Sequence, residues 1–500
     1  MNRISAAALA ACLLLSGCSD SDSARTTAPP VRSTFFALFD LEEGDLPFPI
    51  NLLFSGSTDG TLNIPVAPPV NPANPTLALN ALDGFSTIEP ITVRFSEPVD
   101  AAAVTAGDSV RVFRVELANP FLRGFDPAAE APFAVRRVLE ELAPGVDYTA
   151  LIPPQDPGQT TLVILPLRPL EPASGYLVVL TSDLHTPDGF APVPPRTYVL
   201  LRGEEPLVDA AGNSRVANVN NAQAQALERL RPVVNSQEAA AAAQGIDPAA
   251  IVLSWTFLTQ SIGDALAAVG EAAAPGAISV AGVVSGTAMA DILQGSLTVP
   301  YFLDPAMPLA GRWRGAGGSE LTRYNPQPVA VAELPIPLLV SVPNAASGQV
   351  RPAGGWPLVI FQHGITENRL NLLAIADALA AAGFAAVAID LPLHGVTDAA
   401  SPFFTPLERT FNFDLVNNAT LAPGPDGQTD PTGLHFVNLR SALTTRDNLR
   451  QAAADLLQLR LSAPALDLDG DGDGDINGGR IHFVGHSLGA IVGIPYLALD

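Results

Sequence analysis

Lysine is absent from this sequence of 500 residues, so all 26 basic side chains are arginine, set against 50 Asp and Glu. The net charge of −24 repels phosphate backbones and argues against a nucleic-acid partner. Charged residues make up only 15% of the chain and hydrophobic ones 48%, a globular rather than a disordered composition. Cysteine is nearly absent as well. Cys12 and Cys18 are the only two, which excludes a disulfide framework or a cysteine metal site in the body of the protein. The apolar run Ala7–Leu15 is too short to span a membrane as a mature helix. The length exceeds what one core holds, and two or three domains are expected.

Arg3 and the apolar run lead into Leu15-Ser16-Gly17-Cys18. This resembles the bacterial lipobox, in which the cysteine is lipidated and the preceding peptide, here residues 1–17, is removed. Cys12 would leave with that peptide. Ser19, in place of Asp, resembles the residue that follows the cysteine in lipoproteins destined for the outer membrane or cell surface. Secretion is the alternative. Residues 18–33 read as a flexible tether, and several acyl chains on one cysteine give a stable anchor.

From Ile91 the hydrophobic period is two. Alternating runs at 91–95, 110–115, 161–165, 176–180 and 197–200, separated by Pro/Gly/Asp turns, predict an all-β domain, a sandwich over 34–205. Phe95-Ser96-Glu97-Pro98-Val99-Asp100 resembles a segment of bacterial Ig-like domains and is given no catalytic role. Helical patterns at 219–231, 236–244 and 264–273 predict a bridging segment over 206–290. Beyond it, 296–302 and 336–342 read as strands. Residues 356–361 and 385–390 are continuous apolar strands, as buried parallel strands are. Between them Leu372, Ile375, Ala376, Leu379 and Ala382 recur at helical spacing up to Gly383. Thr444-x-x-Asp447 predicts a capping-box start for a further helix. Strand and helix in alternation predict a parallel α/β sheet with right-handed crossovers over 291–500.

The strand 480–484 runs into Gly485-His486-Ser487-Leu488-Gly489, and an apolar helix follows. A serine flanked by glycine at minus two and plus two on a strand-to-helix turn is the nucleophile elbow of α/β-hydrolases. The turn strains the serine backbone, and side chains at the flanking positions would collide with strand and helix. The N–H of Leu488 then faces any oxyanion. The loop Gln362-His363-Gly364-Ile365 follows the first buried strand. By position it supplies the second oxyanion N–H, from Ile365. His363 is read as holding this loop by hydrogen bonds, and His486 as structural. Asp390-Leu391-Pro392-Leu393-His394-Gly395 lies at the carboxyl end of the next strand. It is read as a structured turn rather than as triad members, because acid and histidine ordinarily follow the serine.

Asp467, Asp469, Asp471, Asp473 and Asp475 alternate before the elbow strand. Such carboxylates repel one another unless solvated or bridged by a hard cation, so the run is either a solvated loop or a structural Ca2+ site. It departs from an EF-hand, with no Glu at the twelfth position. The long insertion 396–440 carries Phe403, Phe404, Phe411, Phe413 and Leu415. These either line an acyl groove or lid or pack on the sheet.

Lipobox, Phe95–Asp100, Gln362–Gly364, Asp390–Gly395 and Gly485–Gly489 occur in that order, and the whole resembles the bacterial virulence-factor, extracellular or surface, lipases. The resemblance implies an Ig-like β domain followed by an α/β-hydrolase domain. It also implies lipase or lysophospholipase activity on carboxylic esters, with Ser487 as nucleophile and no cofactor required. The sequence departs from the pattern at one point. His185, His363, His394, His435, His482 and His486 all precede the serine, whereas the resemblance places acid and histidine after it. The hydrolase domain over 291–500 is therefore expected to be partial. Another serine hydrolase, such as a peptidase or polyester depolymerase, and a non-catalytic surface binding module remain the alternatives.

Overall fold

The computed structural model describes residues 31–500 apart from residue 72. The signal segment, Cys18 and nearly all of the tether lie outside the described residues. No helix among those described is long and apolar enough to cross a membrane.

Two antiparallel sheets form the first body. One has the order β1 (Ile91–Arg94), β5 (Thr161–Pro166), β4 (Tyr148–Leu151). The other has the order β3 (Val135–Glu141), β2 (Val110–Leu117), β6 (Gly175–Thr181), β7 (Ile251–Leu258). Their apolar faces share one core, from Phe35 through Val93, Val112, Leu162 and Val178 to Trp255 and Phe257. The segment Phe95–Asp100 serves as a tie: Ser96 Oγ donates to Thr34 O at 2.7 Å, Glu97 pairs with Arg32 at 2.8 Å, and Asp100 accepts from Ala102 N.

Helices complete this body, which is therefore not all-β. The short α1 (Pro75–Leu79) precedes the sheets. Residues 197–200, expected as a strand, lie in α2 (Arg196–Arg202). Tyr198 and Leu201 recur three apart and are both buried, so burial at helical spacing decides over β propensity. α3 (Asn221–Ala243) starts on a reciprocal Asn220–Gln223 capping box and packs on α2, β3 and β7.

The expected boundaries at 205 and 290 therefore move. β7 comes from the expected bridging segment, yet it pairs with β6 from Gly175–Leu258 through Thr181–Ile251. All eight of its residues are buried, so the first core cannot close without it. The same segment also supplies the second body with α4 (Asp264–Ala272) and β8 (Ile278–Gly286).

The second body is built on one six-stranded sheet. Its order is β13 (Ile476–Gly485), β11 (Trp356–Gln362), β12 (Ala385–Ile389), β10 (Ala332–Pro343), β9 (Ala290–Tyr301), β8. Only β11, β12 and β13 run parallel. β10 is antiparallel to both neighbours, and β8 to β9. The expectation of a parallel sheet holds only where a helix carries the chain back across the sheet. α5 (Leu373–Ala381) does so between β11 and β12, and α6 (Ala442–Ser462) between β12 and β13. α6 and α7 (Leu488–Leu499) cover one face, where Leu338, Ile360, Val387, Leu456 and Val492 are buried; α5 covers the other over Leu339, Val359 and Ala386. Gly383 ends the α5 region at φ 80, as expected. The start of α6 differs from expectation. Ser441 accepts from Thr444 N, whereas Asp447 is buried and accepts from Trp313 N at 2.9 Å.

Candidate active site

The parallel register aligns three strand ends. Phe361 sits beside Ala388 on one side and Val484 on the other, and Gln362 beside Gly485. The chain therefore leaves β11, β12 and β13 along one edge, carrying Gln362–Gly364, Asp390–Gly395 and His486–Ser487, the edge on which α/β sheets place their sites.

Ser487 has φ 52 and ψ −115, a conformation that L residues hold only when the surroundings impose it. Those surroundings are tight. A Cβ at Gly485 would stand 2.7 Å from Ala490 N, and one at Gly489 would overlap the Gln362 carbonyl oxygen. Gly493, which sequence reasoning missed, faces the Phe483 ring so closely that a Cβ would overlap it. Its signal was the helical step of four from Gly489. His486 N donates to Gln362 O at 2.9 Å and Ala490 N to Ser487 O at 2.9 Å. The Leu488 N–H, at the first helical position, has no acceptor among the described residues, as the opening turn of a helix leaves it.

The loop after β11 lies against the serine. A Cβ at Gly364 would stand 3.1 Å from Ser487 Cβ, so a side chain there would push the serine away by a few tenths of an ångström. The Ile365 N–H also lacks an acceptor among the described residues. Glu367, which the sequence did not single out, fastens the loop to the elbow. Its Oε2 accepts from Gly364 N at 3.0 Å and stands 3.0 Å from His486 Nδ1. Burial pushes this carboxyl up, but the Gly364 N–H and His486 outweigh that effect and hold it below its ordinary range.

His363 is fully buried, with Nε2 accepting from Leu391 N at 3.1 Å and Nδ1 2.8 Å from Gly364 O. Because Leu391 N–H can only donate, Nδ1 carries the proton and gives it to Gly364 O, which fixes the neutral tautomer. Burial lowers the pKa of this ring. His394 is likewise buried, with Nδ1 2.8 Å from Pro392 O, and burial brings its pKa down to about 4. Both rings hold turns together. Asp390 is buried on Arg369, which also pairs with Glu408 at 2.6 Å. Burial opposes the Asp390 charge, but Arg369 outweighs burial and keeps the carboxyl below its usual range. The segment is thus the structured turn expected. Among the described residues no histidine ring hydrogen-bonds to the Ser487 hydroxyl.

Insertion 396–440 is fastened rather than loose. Glu408 holds Arg369, Arg409 pairs with buried Asp455 at 2.7 Å, and Asp430 accepts from Leu415 N, Val416 N and His435 Nε2. Phe403 packs on the α5 side of the sheet and Phe411 lies 6.4 Å from Tyr301, so these two follow the packing alternative, whereas Leu415 is exposed.

In the acidic loop, Asp467, Asp469 and Asp475 bring one carboxylate oxygen each within 4.8 Å of one another. Asp471 and Asp473 are outside that group and exposed. Asp467 accepts from Gly470 N and Gly472 N, and Arg351 pairs with both Asp469 and Asp475.

Among solved structures, an acetyl xylan esterase from Paenibacillus sp. R4 shares 17% identity over 47% of this chain and 54% of its own, with a TM-score of 0.23. Acetyl xylan esterase 1 from Thermoanaerobacterium sp. JW/SL YS485 shares 16% over 47% and 53%, with a TM-score of 0.22. The chain thus spans about half the length of either, and scores this low carry no weight. No protein of curated function matches the chain. A family model described as bacterial virulence factor lipase N-terminal does match, over residues 31–292. That span takes in both sheets of the first body and is more than half of the sequence, so the chain belongs to the bacterial virulence factor lipase N-terminal family.

Proposed function

We propose that the protein is a serine hydrolase that cleaves carboxylic esters of lipids through an acyl-enzyme on Ser487. One observation carries the reading. Ser487 is held at φ 52, ψ −115 on a strand-to-helix turn, between two glycines at which a side chain would collide with backbone and beside Gly364. Strain of this kind is kept where it serves a site. Ser487 Oγ attacks the ester carbonyl while a base takes its proton, the alcohol leaves, and water hydrolyses the acyl-enzyme. The acceptor-free N–H groups of Leu488 and Ile365 would hold the oxyanion, each donor contributing roughly 3 kcal/mol to the transition state. His363 and His394 each give their one proton to a backbone carbonyl and stay neutral, so their part is to shape the loops. Membership in the family supports lipid esters as the substrate class, and the sequence at Cys18 supports a lipid-anchored protein at the cell surface.

In the full-length protein a fluorophosphonate probe should label Ser487, and Ser487→Ala should lose both labelling and ester turnover. Turnover of p-nitrophenyl esters that persists in Ser487→Ala would overturn the assignment. Hydrolysis of peptides in preference to phospholipid or triglyceride would overturn the substrate class.

A further inference from the structure

A cavity of about 960 Å3 lies in the first body, with no lining residue from the hydrolase sheet. Its size is at the upper end of small-molecule sites, roughly 300–1,000 Å3. Phe39, Phe54, Phe121, Phe133 and Trp255 form much of its wall. One face of α3 closes it, with Ala226, Leu230, Val233 and Val234 at helical spacing. The polar atoms nearby are mostly turned into the protein. Trp255 Nε1 donates to Pro49 O at 3.0 Å, and Ser254 Oγ to Gln237 Oε1 at 2.9 Å. Asn51 Nδ2 donates to Thr256 Oγ1, but Asn51 Oδ1 is buried without a donor. Phe133 is also held at φ 61, where a bulky residue stays only if its surroundings impose it. Its ring packs 5.3 Å from Phe54 and 6.1 Å from Phe121.

The rim carries one cation. Arg229 lines the cavity from α3 and is exposed. It makes no ion pair or side-chain hydrogen bond among the described residues, and among the residues that line the cavity it alone is charged. An unpaired guanidinium at the mouth of an otherwise uncharged, apolar cavity complements the carboxylate of an amphipathic ligand. We propose that this cavity binds a long-chain fatty acid, its tail against the aromatic wall and its carboxylate on Arg229. One guanidinium answers one anionic head, and the walls supply no second cation for a doubly charged one. The inference does not rest on the reading of Ser487. With that reading, the site would retain a product of the hydrolysis.

The test is calorimetric titration of the delipidated full-length protein, carrying Ser487→Ala so that binding is read apart from turnover. Sodium palmitate should saturate one site. A series rising from decanoate should tighten about fourfold per methylene, the factor expected for burying each one. Arg229→Glu, a surface change, should weaken palmitate at least tenfold and leave hexadecanol unchanged. Leu230→Trp, or Ala226→Trp at the exposed rim should the first not fold, should abolish binding of both. Absence of saturable binding, equal palmitate affinity in Arg229→Glu, or indifference to the Trp substitutions would each overturn the proposal. Lysophosphatidylcholine binding as tightly as palmitate and unaffected by Arg229→Glu would overturn the acid as the ligand.

Discussion

Arg323, in the loop between β9 and β10, closes on Asp83 of the first body with Nε 3.0 Å from Oδ2. Its backbone N donates to the same oxygen at 2.7 Å, and its Nη2 reaches Thr259 O at 2.6 Å. Asp83 is nearly buried, with 3% of its side chain exposed. Burial pushes this carboxyl up, but the contacts with Arg323 outweigh burial and leave it below its ordinary value. Next along the chain, Tyr324 enters the first body beside Phe121 and takes a hydrogen bond from Asn119 Nδ2 at 2.7 Å. This buried ion pair and this inserted ring join the two bodies, alongside packing of α1 against α6.

Removing one member of such a pair strands the other, at a cost of roughly 3–5 kcal/mol for a fully buried pair and somewhat less here, where 11% of the Arg323 side chain is exposed. Asp83→Ala should therefore lower Tm by several degrees. Asp83→Leu combined with Arg323→Leu should recover part of the loss. Calorimetry of the unsubstituted protein, Asp83→Leu, Arg323→Leu and the double variant measures this. Additive losses in the double variant would show that the two side chains do not act as a pair.

The elbow makes a second case, in which function and stability oppose each other. Ser487 at φ 52 is strained, and only glycine relieves it. Ser487→Gly should be more stable than Ser487→Ala by about 1 kcal/mol, although both lose labelling. Gly489→Ala and Gly493→Ala drive a Cβ into the Gln362 carbonyl and the Phe483 ring. They should cost at least ~1–3 kcal/mol, as overpacked sites do. Urea denaturation gives the ranking, and a Ser487→Gly protein less stable than Ser487→Ala would remove the strain argument.

How far the sequence carries the fold depends on where the information sits. The elbow was legible because its glycines and serine are contiguous and their spacing is a steric demand. So were β11, β12 and the helix between them, whose apolar periods match their burial. The role of β7 was not legible, because a fully buried strand of eight residues shows no alternation and stands after a long helix. The antiparallel half of the second sheet depends on which connections lack a helix, which local pattern does not report. Glu367 and Arg369 were invisible for another reason. Their partners His486, Gly364, Asp390 and Glu408 meet them only after the strand ends align.

Acid should weaken the site loops in a definite window. His394 is buried and neutral, its pKa lowered to about 4 chiefly by burial and next by His363, from about 6.5 in an unfolded chain. A depressed base stabilises the fold fully above the unfolded value. That stability is lost as pH falls from about 6.5 towards 4, in total on the order of 3 kcal/mol. His363 is shifted in the same direction by burial and adds to the loss. Tm measured between pH 7 and pH 4.5 should fall, and His394→Gln should flatten the slope. An unchanged slope in His394→Gln would assign the acid sensitivity to other groups.

The acidic loop before β13 tests how a cluster of like charges is neutralised. Arg351 already pairs with Asp469 at 3.0 Å and with Asp475, and Asp475 is buried. Arg351→Ala should therefore leave a buried carboxylate without its cation. The loss should be about 1–2 kcal/mol, below that of a fully enclosed pair because Arg351 is 38% exposed. The oxygens of Asp467, Asp469 and Asp475 lie within 4.8 Å of one another. That separation suits calcium, whose ligand oxygens stand roughly 2.3–2.6 Å from the ion. Millimolar calcium should accordingly restore the Tm of Arg351→Ala and raise that of the unsubstituted protein less, with EDTA reversing both. A Tm that responds to neither calcium nor EDTA in Arg351→Ala would leave arginine and solvent as the only neutralising partners of the loop.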